Sequence, residues 1–86
     1  MYFVYVIRNL AGRIYIGVSE NVSVRLNQHN LGVSRWTRGK GPWNLVWKSE
    51  AMSLESARRF EIKLKRQKGG NGFYQMTGIK PDASGS

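Results

Sequence analysis

Residues 3–30 read FVYVIRNLAGRIYIGVSENVSVRLNQHN and hold two short apolar runs followed by a polar segment. The runs at 2–9 and 13–18 are rich in β-branched and aromatic residues and are apolar on both faces of a period-2 pattern, which is typical of buried strands. The three residues between them predict a tight hairpin loop in which Gly12 takes the left-handed conformation. This stretch therefore predicts two antiparallel strands joined by a short turn.

The length of the loop decides which side chains of the hairpin lie together. A three-residue loop pairs Asn9 with Arg13 across the two strands. In that register Tyr5 lies opposite Gly17, which leaves an empty slot beside the tyrosine. Tyr5 and Tyr15 then project from the same face as diagonal neighbours. A four-residue loop would put the two tyrosines on opposite faces instead.

The rest of the chain adds two helices and a third strand. Ser19 and Glu20 suit the start of a helix over residues 20–30, since a hydroxyl caps the first turn and a carboxylate favours the positive end of the helix dipole. Residues 43–47 (WNLVW) predict the third strand. Residues 53–67 predict the second helix, with a serine as its cap.

The composition changes after Lys68. Residues 69–86 are rich in glycine and show little periodicity, and Phe73 and Tyr74 are the residues there that could dock onto the body. We therefore predict a domain over residues 1–68 and a loosely attached C-terminal tail over residues 69–86.

Charge is the strongest signal in the composition. Fourteen Lys and Arg residues against five acidic ones give a net charge of +9 on 86 residues. Such a field attracts polyanions, so nucleic acid is the expected partner, ahead of an anionic membrane. The absence of cysteine excludes disulfides and thiolate metal sites, and no apolar run suits a membrane span or a signal-peptide core. We expect a soluble cytoplasmic protein.

Several features of the sequence together resemble the GIY-YIG nuclease domain. Residues 3–5 (FVY) look like a degenerate first triplet, and residues 15–17 (YIG) are the second triplet unchanged. Arg25 and His29 fit the family's Arg-x-x-x-His/Tyr pattern on the first helix, and Glu61 fits its acidic residue on a later helix. The resemblance is strongest to the small stand-alone bacterial members, which are related to the N-terminal nuclease domain of the excinuclease C subunit.

The resemblance covers about residues 2–68 and implies an α/β (α+β) fold in which helices flank a three-stranded antiparallel sheet. It also implies a metal-dependent endonuclease that hydrolyses phosphodiester bonds in DNA, with DNA repair or recombination as its setting. The alternative is a module on the same fold that binds nucleic acid but cleaves it poorly or not at all, because the first triplet has lost its Gly and Ile. A protein partner that presents or activates so small a domain is a further alternative.

The position of Glu61 on its helix follows from the periodicity alone. At 3.6 residues per turn it falls on the same arc as three apolar residues, Leu54, Ala57 and Leu64. A carboxylate on such a face must be paired, hydrogen-bonded or bound to a cation. Glu61 therefore needs a partner.

Two kinds of partner for Glu61 are open. One is an ion pair along the helix with Arg58 or Lys65. The other is a divalent cation, which the resemblance favours because the family's acidic residue matches this position. A single well-placed carboxylate suits one Mg²⁺ or Mn²⁺ ion with oxygen ligands better than a two-metal centre.

The resemblance implies a catalytic set of five residues: Tyr5, Tyr15, Arg25, His29 and Glu61. One of the two tyrosines would take a proton from the attacking water, and neither the sequence nor the resemblance decides which. Arg25 would stabilise the charge that develops on the phosphate, and His29 would orient a tyrosine or move a proton. The structural alternative is that the tyrosines are ordinary strand residues and that Arg25 is a solvated helix residue.

Basic residues outside the catalytic set predict a surface for nucleic acid, comprising Arg35, Trp36, Arg38, Lys40 and Lys65. The cations would hold the phosphate backbone, and the indole of Trp36 would stack on an unpaired base. The structural alternative is that Trp36 plugs the edge of the core.

Overall fold

The computed structural model describes residues 1–68 and 71–78 of the chain. Its elements follow in the order β1 (Phe3–Asn9), β2 (Ile14–Ser19), α1 (Val22–Asn30), β3 (Trp43–Lys48), α2 (Leu54–Gln67) and α3 (Asn71–Thr77). None of the helices in the described ranges has the length and apolar character that crossing a membrane would need.

The three strands form one antiparallel sheet with β1 in the centre, in the order β2-β1-β3. This confirms the predicted α+β class with a three-stranded antiparallel sheet. The predicted hairpin register is also confirmed, since Tyr5 pairs with Gly17 and Ile7 pairs with Tyr15. Gly12 in the loop has a φ of 85°, which is the left-handed conformation that the three-residue loop requires.

Helices cover both faces of the sheet, so β1 is buried on both sides. Side chains alternate between the faces along a strand, and each face therefore has its own apolar cluster. The cluster under α2 and α3 contains Val4, Val6, Ile16, Ala57, Leu64 and Phe73. The cluster under α1 contains Tyr5, Ile7, Val22 and Trp43.

The first helix begins later than the sequence predicted. Its cap is Asn21, whose side-chain oxygen accepts a hydrogen bond from the Val24 backbone N–H at 3.1 Å. Ser19 ends β2 instead, and its hydroxyl accepts from the Asn21 N–H at 3.0 Å. The prediction of a cap at Ser19 and Glu20 was wrong, because Asn is as good a cap as Ser and the strand extends through Ser19.

The second helix is as predicted at its start, where the Ser53 hydroxyl accepts from the Ser56 N–H at 3.1 Å. Ala57 and Leu64 are fully buried, as the arc through Glu61 required. Leu54 is 39% exposed, so its predicted core position was wrong. It is the first residue of the helix and lies at the margin of the packed face.

Residues 71–77 of the predicted tail form α3, and the suggested docking of Phe73 and Tyr74 onto the body is confirmed. Phe73 is fully buried in the cluster under α2, and its ring makes an edge contact with Tyr74 at a centroid distance of 5.5 Å. The burial of the Phe73 ring stabilises this short helix more than the intrinsic helix propensity of its glycine-containing sequence does. Residues 69–70 and 79–86, the rest of the predicted tail, lie outside the described residues.

Candidate active site

The two tyrosines of the hairpin lie side by side on the face covered by α1. Their ring centroids are 6.4 Å apart, which confirms that both project from the same face. Tyr5 is buried, whereas Tyr15 is half-buried. The Tyr5 ring lies directly over Gly17, where an added Cβ would come within 2.5 Å of the phenol oxygen. The empty slot inferred from the register is therefore occupied by the end of the Tyr5 side chain.

His29 bonds to Tyr5 from the first helix. It is 1% exposed, and its Nε2 lies 2.8 Å from the Tyr5 hydroxyl oxygen. Its ring also contacts the ring of Tyr15, edge to face, at a centroid distance of 4.8 Å. The second imidazole nitrogen, Nδ1, lies 2.7 Å from the hydroxyl oxygen of Thr37. Tyr5, His29 and Thr37 thus form one buried hydrogen-bonded chain.

The buried position of His29 makes its imidazole neutral at physiological pH. Burial disfavours the charged form, and the nearby Arg25 guanidinium adds repulsion. Together these effects lower the pKa of His29 to about 4. A neutral imidazole has one N–H donor and one acceptor nitrogen, so His29 can accept at one end of the chain and donate at the other.

Burial is also the main influence on the pKa of Tyr5. It raises the pKa of the Tyr5 phenol to about 12, with a smaller contribution in the same direction from Tyr15. The Arg25 guanidinium favours the phenolate and so lowers the pKa of Tyr5, whereas the negative charge of Glu61 raises it. The phenol oxygen therefore lies within the fields of a cation and a carboxylate at once.

Arg25 lies one helical turn before His29, on the same side of α1. It is half-buried, and its Nη1 donates to Gln28 Oε1 at 2.8 Å. That bond restrains the guanidinium along the helix while the Arg25 charge acts on Tyr5 and His29. A restrained guanidinium beside a phenol is suited to bind an anion such as a phosphate.

Glu61 lies on the second helix, and its charge acts on the Tyr5 phenol. Its side chain is 14% exposed, and its carboxylate pairs with Lys65 at 3.3 Å. Of the two ion pairs considered for Glu61, the one with Lys65 is therefore formed. Lys65 is itself 56% exposed at the side chain, so this pair is weakly restrained and can exchange for another cation.

The donor set at Glu61 fits a loosely held divalent cation. Among the residues that the structure describes, no three His, Cys, Asp or Glu side chains come together as a metal-ligand cluster. Mg²⁺ keeps several waters and is commonly held by one or two protein carboxylates together with substrate phosphates, so one carboxylate can suffice. Glu61 could therefore hold Mg²⁺ or Mn²⁺ as one ligand among waters.

An open cleft of about 520 Å³ lies beside Tyr15. Trp36 forms part of its wall and is 71% exposed, so the interpretation of Trp36 as a plug of the core edge was wrong. Lys68, at the end of α2, also lines the cleft, where the sequence had suggested an extension of the basic surface. Further side chains line it that the sequence did not single out for this role: Arg13, Trp43 and Tyr74.

The predicted nucleic-acid residues fall into two groups. Trp36 and Lys40 line the cleft, whereas Arg35 and Arg38 are exposed elsewhere on the segment between α1 and β3. Arg38 is held locally, because its Nε donates to the Gly32 carbonyl at 2.9 Å. Lys65 lies apart from both groups on α2, in its pair with Glu61.

The segment between α1 and β3 is fixed at both ends. Asn30 closes it, since its side chain accepts from the Trp43 N–H at 2.7 Å and donates to the Trp43 carbonyl at 3.1 Å. The Asn9 side chain donates to the Lys40 carbonyl at 2.9 Å. These bonds hold the segment against the hairpin loop, so that Thr37 faces inward and Trp36 faces the cleft.

Known proteins are similar in sequence to this chain. A curated UPF0213 protein of Aeromonas hydrophila is 40% identical over 67 residues, which cover 77% of this chain and 49% of that protein. A UPF0213 protein of Aeromonas salmonicida is 43% identical over 65 residues, covering 74% and 48%. This chain thus spans about half the length of these curated relatives.

A solved structure is similar as well. The solution NMR structure of the UPF0213 protein BH0048 from Bacillus halodurans is 34% identical, with 77% of this chain and 72% of that chain covered and a TM-score of 0.47. The model of the GIY-YIG catalytic domain family matches residues 1–74, which include both tyrosine triplets, the Arg–His pair of α1 and the glutamate of α2. The chain therefore belongs to the GIY-YIG family.

Proposed function

We propose that this protein is an endonuclease that hydrolyses phosphodiester bonds in DNA with the help of one Mg²⁺ or Mn²⁺ ion. The observation that carries the proposal is the convergence on the Tyr5 hydroxyl: His29 bonds to it, and the charges of Arg25 and Glu61 act on it. Membership of the GIY-YIG family supports nuclease activity in general. DNA repair or recombination is the setting we expect, and this part rests on the family alone.

Tyr5 is our choice for the group that takes a proton from the attacking water. Its hydroxyl is the one bonded to His29, whereas Tyr15 is half-buried and lines the cleft. A phenol with a pKa of about 12 is a weak base at neutral pH, because so little of it is ionised. Positive charge near the phenol increases the ionised fraction, and Arg25 supplies part of it.

Phosphodiester hydrolysis then proceeds in one displacement. The Tyr5 phenolate removes a proton from water, and the oxygen of that water forms a new bond to phosphorus. The bond from phosphorus to the 3′ oxygen breaks, and the leaving oxygen takes a proton from solvent, which gives a 3′-hydroxyl and a 5′-phosphate. Arg25 is placed to stabilise the extra negative charge on the phosphate during this step.

A divalent cation bound at Glu61 would polarise a phosphate oxygen and offset negative charge in the transition state. Glu61 also acts without the cation, since its negative charge raises the pKa of Tyr5. Exchange of Lys65 for a divalent ion at Glu61 would remove that effect. The same side chain would thus link ion binding to the ionisation of Tyr5.

The cleft beside Tyr15 is our proposed site for the strand that flanks the scissile phosphate. Trp36 offers an exposed indole on which an unpaired base can stack, and Arg13, Lys40 and Lys68 offer cations for the neighbouring phosphates. The described lining of the cleft contains no acidic residue, so its charge is complementary to a nucleic acid.

The test is a cleavage assay with purified protein on labelled duplex, flap, junction and single-stranded DNA, and on matched RNA. Each substrate is incubated with Mg²⁺, Mn²⁺ or EDTA. We expect cleavage of DNA with a divalent ion and none with EDTA, with 5′-phosphate ends on the products. Binding without cleavage under every condition would replace the nuclease by a nucleic-acid-binding module.

A further inference from the structure

Thr37 is a buried polar residue to which neither the motif nor the proposed chemistry gives a role. It is 1% exposed, and its hydroxyl oxygen lies 2.7 Å from Nδ1 of His29. Its backbone carbonyl accepts from the Trp43 indole N–H at 3.1 Å and from the Lys40 N–H at 3.2 Å. The main chain of Thr37 is therefore fixed, and the hydroxyl is presented to the imidazole.

The hydrogen-bonded series Tyr5–His29–Thr37 contains more polar hydrogens than it has hydrogen bonds. The phenol, the neutral imidazole and the threonine hydroxyl each carry one, whereas the chain has only two hydrogen bonds. One hydrogen must therefore point out of the chain, either at the tyrosine end or at the threonine end. Which end it is depends on which ring nitrogen of His29 carries the proton.

The two ends are equally buried, since Tyr5 and Thr37 are each 1% exposed, and among the described residues His29 is the one side chain bonded to either hydroxyl. A buried hydroxyl hydrogen with no acceptor is costly. The proposed function distinguishes the ends, because a base must contact the attacking water. That water can accept the spare hydrogen at Tyr5, whereas the reaction brings no acceptor to Thr37.

We propose that Thr37 is a positioning residue that donates to Nδ1 of His29 and so holds the ring in the tautomer with hydrogen on Nε2. His29 then donates to the Tyr5 oxygen rather than accepting from it. A hydrogen bond donated to a phenolate stabilises it, so Thr37 promotes the reactive form of the base through the imidazole. Both the tautomer and its consequence for catalysis rest on the proposed function, and the two are measured separately, the tautomer by NMR and the function by the cleavage assay.

The tautomer is measured directly on the wild-type protein by nitrogen-15 NMR. His29 is the chain's one histidine, so the ring signals need no assignment by mutation. We expect the unprotonated nitrogen at neutral pH to show a strong two-bond correlation to Hε1 alone, which identifies it as Nδ1. An unprotonated nitrogen that correlates with both Hε1 and Hδ2 would be Nε2 and would overturn the proposal, whether or not the protein cuts DNA.

Two variants test the role of the hydroxyl. Thr37→Val keeps the shape of the side chain and removes the donor, whereas Thr37→Ser keeps the donor. We expect the Val variant to lose the single tautomer and to cleave about 10- to 100-fold more slowly, by analogy with metal-ligating histidines that lose their orienting partner. The Ser variant should restore both the tautomer and most of the rate.

The pH dependence separates this role from mere packing. The ionisable groups whose charge acts on the Tyr5 phenol are Tyr15, Arg25 and Glu61, and none of them is changed by the substitutions. The cleavage rate should rise with pH as Tyr5 ionises. Without the Nε2 hydrogen, this rise should occur at higher pH in Thr37→Val than in the wild type. A packing defect would instead lower the rate by the same factor at each pH. A Val variant with the wild-type tautomer and the wild-type profile would contradict the proposal.

Discussion

Replacement of Gly17 by Ala tests the close approach on which the site depends. The new Cβ would lie 2.5 Å from the Tyr5 hydroxyl oxygen and 2.6 Å from Cζ, while ordinary contact begins at 3.4 Å. The phenol must therefore move by about 0.9 Å, and Tyr5 is buried in the cluster under α1. Overpacking of a core usually costs about 1–3 kcal/mol in the free energy of unfolding. For a domain of this size each kcal/mol lowers Tm by about 4–8 °C.

The same displacement should break the 2.8 Å hydrogen bond between Tyr5 and His29, so we expect Gly17→Ala to lose cleavage as well as stability. Tyr5→Phe is the matched comparison, because it removes the hydroxyl without adding an atom near Gly17. It should lose cleavage with a smaller drop in Tm. Thermal melting and the cleavage assay, run on both variants, give the comparison. A Gly17→Ala protein with wild-type Tm and wild-type cleavage would refute the reasoning.

Two further predictions concern His29 and Trp36. The unfolded chain binds a proton at His29 near the ordinary pKa of 6.5, whereas the folded protein does so only near 4. The contribution of His29 to the free energy of unfolding is therefore fully present above pH 6.5. It is lost as the pH falls towards 4, and the loss amounts to at most about 3 kcal/mol. Urea unfolding across this range should show that loss in the wild type, and a His29→Gln variant with the same pH dependence would contradict it. Trp36→Ala should weaken binding of single-stranded DNA by about 1–3 kcal/mol in a fluorescence titration without lowering Tm, whereas Leu31→Ala, equally exposed at 71%, should change neither.

The hairpin was predictable because its determinants are local. A three-residue loop with Gly12 in the left-handed conformation sets the register, and the register alone puts Tyr5 opposite Gly17. The arc of α2 followed in the same way from helical periodicity, which correctly made Ala57 and Leu64 the buried neighbours of Glu61. The burial predicted for Leu54 was wrong, because helical periodicity gives the face on which a residue lies but not where along the helix the packing ends.

The parts that were missed depend on contacts between distant segments. Thr37 lies in a glycine-rich basic segment with no periodicity, and its burial follows from bonds to His29 and Trp43 that the sequence does not reveal. α3 has weak intrinsic propensity and forms because Phe73 reaches the core under α2. The cleft beside Tyr15 joins the hairpin loop, the segment after α1 and α3, so its composition could be predicted only in part.

Glu61→Gln, measured by cleavage and by melting together, tests the central claim most directly. Gln keeps the shape and nearly the helix propensity of Glu but loses the charge that would hold a divalent ion. Glu55→Gln is the matched control, because it breaks an exposed ion pair with Arg59 on the same helix, as Glu61→Gln breaks the pair with Lys65. Each should lower the free energy of unfolding by less than about 1 kcal/mol. We predict that Glu61→Gln cleaves DNA roughly 10³-fold more slowly or worse at saturating Mg²⁺ while DNA binding stays the same or tightens, and that Glu55→Gln cleaves like the wild type. A Glu61→Gln protein that cleaves as fast as the wild type would contradict the account.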